Sequence, residues 1–157
     1  MVKLKLADKA KFITSTLEEL YPKPGIPLNH ENNFTFLVAV MLSAQSTDKK
    51  VNEITPKLFE KANSPSEMNK LNVNEIRDII KQIGLAPTKA KNIKKMSQQL
   101  LSNHNGKVPD NFEDLEKLAG VGHKTASVLM AQAFDTPAFP VDTHIHRLAY
   151  RWGLSNG

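Results

Sequence analysis

No cysteine occurs in the 157 residues, which excludes a disulfide framework and any cysteine-held zinc or iron–sulfur site within them. No apolar run reaches the ~20 residues needed to span a bilayer; the longest, FTFLVAVML from Phe34, is about half that. The opening residues, MVKLKLADKAKF, interleave charge with apolar side chains and lack the unbroken apolar stretch of a signal peptide. β-Hairpin patterns, internal repeats and low-complexity tracts are missing too. An intracellular, soluble protein is the default expectation.

What is present is charge and helical periodicity. The formal charge of +5, from 21 basic and 16 acidic residues, suits a polyanionic partner without requiring one. Residues 7–20 form an amphipathic pattern with Phe12, Ile13, Leu17 and Leu20 at helical spacing. A link with three prolines and one glycine, YPKPGIPLNHENN, follows it. Residues 34–42 carry no polar side chain except Thr35, so they read as a central helix buried on all sides, with a strand as the alternative. Ser46 or Thr47 can cap a helix over 48–61, in which Pro56 should cost a hydrogen bond or bend the axis. SPSEM reads as a short capped turn, and residues 74–82 as a helix closed by a left-handed Gly84. Helices over 87–101, 112–118, 124–134 and 141–152 complete an all-α array of about eight. Residues 79–109 hold six lysines and no acidic residue, either a solvated face or a surface for an anionic backbone.

The segment LAGVGHKTASVLM, from Leu118, combines a glycine pair with the start of an apolar-periodic helix. Gly120 and Gly122 can turn the chain sharply while Val121 plugs back toward the core. Small residues there leave backbone N–H groups exposed at a helix start, where they and the helix dipole suit a phosphate oxygen. Such a contact holds a nucleic-acid backbone without reading its sequence. A nucleotide-binding glycine loop does not fit, because no strand precedes it and neither GxGxxG nor GxxxxGK[ST] spacing is present. Helix–hairpin–helix is the description that remains.

Asp142 follows Lys124 by eighteen residues, at the start of the last helix, where an aspartate is an ordinary N-cap. His144 and His146 lie two residues apart and cannot share a helix face as a zinc pair would, so no metal site is expected. His144 reads as a packed, hydrogen-bonded side chain and His146 as a surface one.

Taken in order, MLSAQSTD from Met41, IGLAPTKAKNI from Ile83, HNGKVP from His104, the run LxGVGxKTA and VDTHIxR closely resemble the endonuclease III family of helix–hairpin–helix DNA glycosylases. The resemblance runs from about residue 7 to the end of the sequence. It implies the glycosylase fold and a bifunctional enzyme of base excision repair. Such an enzyme removes oxidised pyrimidines such as thymine glycol from duplex DNA, forms a lysine imine, and nicks the 3′ side of the abasic site. By the same resemblance Lys124 is the catalytic lysine and Asp142 the catalytic aspartate. Gln45 matches the residue that enters the gap left by the extruded nucleotide, and Leu85 the neighbouring wedge. Gly120, Val121, Gly122, His123 and Thr125 of the hairpin, with Lys89 and Lys91, complete the expected DNA-binding set. Lys124 argues against the adenine-specific relatives, which carry serine there, and the thymine-mismatch relatives, which carry tyrosine. Two departures stand out: Ala119 replaces the usual proline and should loosen the turn, and His123 replaces a frequent arginine, removing a permanent charge.

The chemistry these roles imply is demanding. The nucleotide must leave the stack before its sugar can be attacked, at a cost of about a few kcal/mol. Positive charge then builds on the deoxyribose, and the Asp142 carboxylate is expected to stabilise it. An unperturbed lysine offers only about one free amine in two thousand at pH 7. Partial burial and the helix start are expected to favour the free amine of Lys124.

The resemblance implies two domains: a central helical one over 23–135 with the hairpin at 115–134, and a second, cluster-side one to which the N-terminal helix over 1–22 and the incomplete start of a C-terminal part over 136–157 both belong. Family members continue further, with four cysteines holding a four-iron–four-sulfur cluster, so the chain is expected to be a fragment ending before that region. No cofactor is expected within it. The expected partner is damaged or abasic double-stranded DNA and not a membrane, with the protein a monomer, cytoplasmic and associated with the chromosome. A catalytically inactive DNA-binding fragment is the main alternative.

Overall fold

In the computed structural model residues 5–22 and 24–156 are described; the first four residues of the opening stretch, Lys23 of the proline-rich link and Gly157 lie outside it. The described residues form nine α-helices and no strand: α1 Leu6–Leu20, α2 Asn33–Ser43, α3 Asp48–Lys61, α4 Pro65–Lys70, α5 Val73–Ile79, α6 Ala86–Asn103, α7 Phe112–Lys117, α8 His123–Ala133 and α9 Thr143–Arg151. They fall into two compact units. One is Pro27–Pro140; the other joins Met1–Ile26 to Val141–Gly157.

The larger unit is built around α2. Every residue from Phe34 to Leu42 is buried, which settles the strand alternative in favour of an enclosed helix. A helix with no solvent face needs its ends satisfied by its own side chains. Asn32 does this at the start: its Oδ1 accepts from the Thr35 N–H at 2.9 Å, while the Thr35 hydroxyl oxygen accepts from the N–H groups of Asn32 and Glu31. Around α2 pack α3, α6 and α8, with α4 and α5 seated on α6 and α7 on α8. Leu58 of α3, Met68 of α4, Ile76 of α5, Ile93, Met96 and Leu100 of α6, Leu115 of α7 and Leu129 of α8 are all fully enclosed.

Three local expectations are corrected. SPSEM is more than a turn: Ser64 caps it, Pro65 occupies the first turn, and a helix of six residues results. The helix after Asn72 ends at Ile79, and the left-handed residue beyond it is Leu85 (φ +61°), not Gly84. Gly84 is required for another reason: a Cβ there would lie 3.2 Å from the Gln45 carbonyl oxygen.

In the smaller unit neither α1 nor α9 buries a residue fully. Asp142 caps α9, and Phe12, Leu17 and Leu20 of α1 are exposed.

Candidate functional site

The hairpin begins where α7 stops. Leu118 and Val121 are both buried, and the Val121 N–H donates to the Leu118 carbonyl at 3.1 Å, so the intervening residues are forced outward. Gly120 takes φ +79° with no room for a side chain, since a Cβ would meet Asn92 Nδ2 and Met41 Cε at 2.8 Å. Gly122 is extended at the N-cap of α8, and a Cβ there would meet nothing within 4 Å. Open space therefore stands before the first turn of α8, whose leading N–H groups have no acceptor within the helix. Lys124 and His123 are exposed on that turn, with Thr125 half-buried behind them. The exposure of Lys124 differs from the partial burial expected; the helix start is the part of that expectation that the fold retains.

Gln99 was not singled out from the sequence as more than a helix-face residue. Its Oε1 accepts from the Ala119 N–H at 2.8 Å and its Nε2 donates to the Lys117 carbonyl at 3.0 Å, clamping the hairpin to α6. That bond also corrects the reading of Ala119. A proline has no N–H to give, so alanine at this position supplies a tether rather than merely loosening the turn. His123 is held as well: its Nδ1 lies 2.6 Å from Glu116 Oε1, and its ring stacks on Phe112 with centroids 5.5 Å apart.

A second cluster in the same unit contains Gln45 and Leu85. Both are non-glycine residues in the left-handed region, at φ +58° and +61°, and both are exposed. Ser46 joins their loops, its Oγ accepting from the Gly84 N–H at 3.3 Å, while Thr47 rather than Ser46 caps α3. The structure thus brings together two residues that lie forty positions apart in the sequence.

Lys89 does not belong on the exposed DNA-binding set. It is buried, with its Nζ donating to the carbonyls of Leu42 at 2.9 Å and Ala44 at 2.5 Å. Desolvation pushes its pKa down from 10.5. Lys94 is likewise committed, to the carbonyls of Asn69 and Leu71. The lysine-rich stretch is therefore two things: Lys81, Lys91, Lys95 and Lys107 face solvent, while Lys89 and Lys94 tie backbone carbonyls.

Asp142, in the smaller unit, is half-buried, and its Oδ1 accepts from the N–H groups of His144 and Ile145, both at 2.9 Å. The N-cap reading is thus what the structure displays. His144 is exposed rather than packed, with Arg147 Nη2 3.0 Å from its Nδ1. Among the described residues no group of three or more His, Cys, Asp or Glu side chains could hold a metal ion. Without a thiolate, the residues present do not fit an iron–sulfur cluster.

Residues 38–157 match the family described as HhH-GPD superfamily base excision DNA repair protein. The chain is 46% identical over 145 residues to Endonuclease III of Haemophilus influenzae, covering 92% of this chain and 69% of that protein. Two solved structures, a non-covalent Endonuclease III–DNA complex and a trapped Endonuclease III–DNA covalent intermediate with an estranged adenine, each superpose with a TM-score of 0.90 at 39% identity, over 96% of this chain and 70% of theirs. No helix among the described residues is long and apolar enough to cross a membrane.

Proposed function

Because the chain belongs to the HhH-GPD superfamily of base excision DNA repair proteins, and within it to the endonuclease III family, we propose that it removes oxidised pyrimidines of the thymine glycol kind from duplex DNA and nicks the strand 3′ to the resulting abasic site. The observation that carries this reading is the hairpin, which delivers Lys124 on the first exposed turn of α8 beside Gly122, where open space leaves room for a phosphodiester. That a relative has been trapped on DNA as a covalent intermediate supports a nucleophilic role for the lysine.

In this mechanism the hairpin N–H groups bind a phosphate of the damaged strand, a contact that orients without reading sequence. Gln45 hydrogen-bonds the base left opposite the gap, and Leu85 wedges the stack, compensating the cost of extruding the nucleotide. Asp142 stabilises positive charge as the glycosidic bond lengthens. The free amine of Lys124 forms a bond to C1′ as the C1′–N bond breaks, and the base departs with that electron pair and gains a proton. Ring opening gives the imine, which acidifies C2′. Loss of a C2′ proton expels the 3′ phosphate, and water releases the enzyme from the unsaturated sugar. Only water is consumed.

The test is borohydride trapping of the chain on a duplex with one thymine glycol. A covalent band is expected from the wild type and absent from Lys124→Ala and from undamaged duplex. A band of equal strength from Lys124→Ala would remove the assignment of the nucleophile. A wild-type chain that is folded and binds duplex, yet gives no band, would point to DNA binding without catalysis.

A further inference from the structure

Among the described residues Lys89 is the one buried lysine, and the proposed chemistry leaves it without a task. Burying an ammonium costs free energy, and lysines are rarely enclosed unless the charge is used. Here its reach is specific. From the second turn of α6 it crosses to the C-terminal end of α2, where helix carbonyls lack intrahelical donors and where a cation is favoured by the dipole. One of its two acceptors is Ala44, the residue immediately before Gln45. Through its own backbone N–H, Lys89 also bonds the carbonyl of Leu85 at 2.9 Å. That main-chain bond is the ordinary first-turn bond of α6 on its N-cap Leu85, which any side chain here would keep; what the lysine side chain adds is a hold on the backbone next to Gln45, in the loop that meets the loop of Leu85. Gln45 and Leu85 are the two left-handed non-glycine residues of the cluster. Such a conformation is strained for any residue with a side chain and persists only where the surroundings enforce it. Three further contacts bear on the same loops: the Ser46 N–H donating to the Ser43 carbonyl, Ser46 Oγ accepting from Gly84, and the close approach of Gly84 to the Gln45 carbonyl.

Lys94 supplies the comparison within the same helix. It ties the carbonyls of Asn69 and Leu71 at the end of α4 by the same chemistry, but none of the left-handed residues flanks that site. If tying a helix end were all that Lys89 did, the two lysines would be equivalent.

We propose that Lys89 is a positioning residue for lesion recognition: its side-chain bonds to Leu42 and Ala44 hold the Gln45 loop in the geometry from which Gln45 enters the gap in the duplex beside Leu85. This rests on the gap-filling roles given to Gln45 and Leu85 above. Lys89 touches no DNA in this arrangement and acts through the loop it ties.

The experiment measures binding of the full chain to a duplex carrying a tetrahydrofuran abasic analogue and to the same duplex undamaged, with 2-aminopurine opposite the lesion reporting the estranged base. Losing a charge-assisted tether predicts that Lys89→Met lowers the preference for the abasic duplex by about tenfold, dims the 2-aminopurine response, and leaves undamaged binding within about twofold. Lys94→Met should keep the preference even where its thermal stability falls as far. In a Gln45→Ala background Lys89→Met should add less than about twofold, because both act on one loop. Lys89→Arg, which keeps donors for both carbonyls, should recover most of the preference. Should Lys89→Met fail to fold, Lys89→Gln carries the same comparison with one donor retained. Full preference in folded Lys89→Met, equal loss in Lys94→Met, or an undiminished effect of Lys89→Met on top of Gln45→Ala would each overturn the proposal. If Gln45→Ala itself keeps full preference, the gap-filling reading fails and this inference with it. Loss in Gln45→Ala but not in Lys89→Met sinks the inference alone.

Discussion

Single residues in this chain divide by whether their task is local or remote. Gly120 was legible because a glycine before a helix start announces a turn, and the structure adds why nothing else fits there. Alanine at that position would hold a left-handed backbone and press its Cβ to within 3 Å of Asn92 and Met41 side-chain atoms. Gly120→Ala should therefore cost about 2–4 kcal/mol, read as a lower urea midpoint at unchanged slope, and weaken duplex binding through the displaced hairpin. Gly122→Ala, with open space around it, should barely change stability yet weaken DNA binding, which separates the two glycines. Lys89 and Gln99 were not legible in this way. Each sits on the buried or half-buried side of α6 and meets backbone atoms eighteen or more positions away. Hydropathy periodicity places such a side chain on a face, and nothing in that pattern tells which carbonyl it will reach. The same blindness assigned the left-handed conformation to Gly84 instead of Leu85, since preference for positive φ is a property of residue type whereas this strain is imposed by neighbours.

Elements were read more securely, because capping and periodicity are local. The Asn32–Thr35 box, Thr47, Ser64, Asn72 and Asn111 all cap helices within three or four residues of themselves. Only α4, six residues long, was mistaken for a turn. Pro56 was expected to cost α3 a hydrogen bond or bend it, and the helix runs from Asp48 to Lys61 through the proline, which is exposed. Packing by Val51, Ile54, Leu58 and Phe59 outweighs the missing N–H. Pro56→Ala should raise stability by about 2 kcal/mol, the helix penalty less the entropy proline removes from the unfolded chain, as a higher urea midpoint. A fall would mean that the proline's shape is needed. On α7 the prediction concerns pH. Asp114 has its pKa lowered, first by the Asn111 side chain and then by Lys117. A carboxylate with a lowered folded pKa adds stability that is complete above its unfolded value, 3.8, and is lost as pH falls through the folded one. Lying at the surface, it adds only a shallow slope. Urea titrations of Asp114→Asn between pH 5 and about 2.5 should run flatter than wild type; parallel curves would show that the carboxylate contributes nothing.

At the scale of the whole molecule, the two units differ in what encloses them. The larger is organised on a helix with no exposed face, and the hairpin, Gln99, Lys89 and the Gln45–Leu85 pair all belong to it. Its all-α character followed from the sequence directly; the expected grouping of the N-terminal helix with the C-terminal part came from the family resemblance and not from the residues, because α1 and α9 come from opposite ends of the chain and share no sequence signal. Among the described residues the large exposed apolar side chains, apart from Leu85 and Phe139, all lie in the smaller unit: Leu6, Phe12, Leu17, Leu20 and Tyr21 before the larger unit, and Val141, Leu148, Tyr150 and Trp152 after it. Local opening free energy follows buried apolar contact, so the units should open separately. In native-state hydrogen exchange, the central amides of α2, α6 and α8 should exchange only through global unfolding, with protection that falls with urea at the full slope. Amides of α1 and α9 should exchange at least about a hundredfold faster and with little urea dependence. Phe12→Ser should lower dye binding to exposed apolar surface while leaving protection in α2 unchanged. Equal protection in α1 and α2, or a loss in α2 caused by Phe12→Ser, would show instead that the chain unfolds as one cooperative body and that Asp142 at the head of α9 is as firmly held as Lys124 at the head of α8.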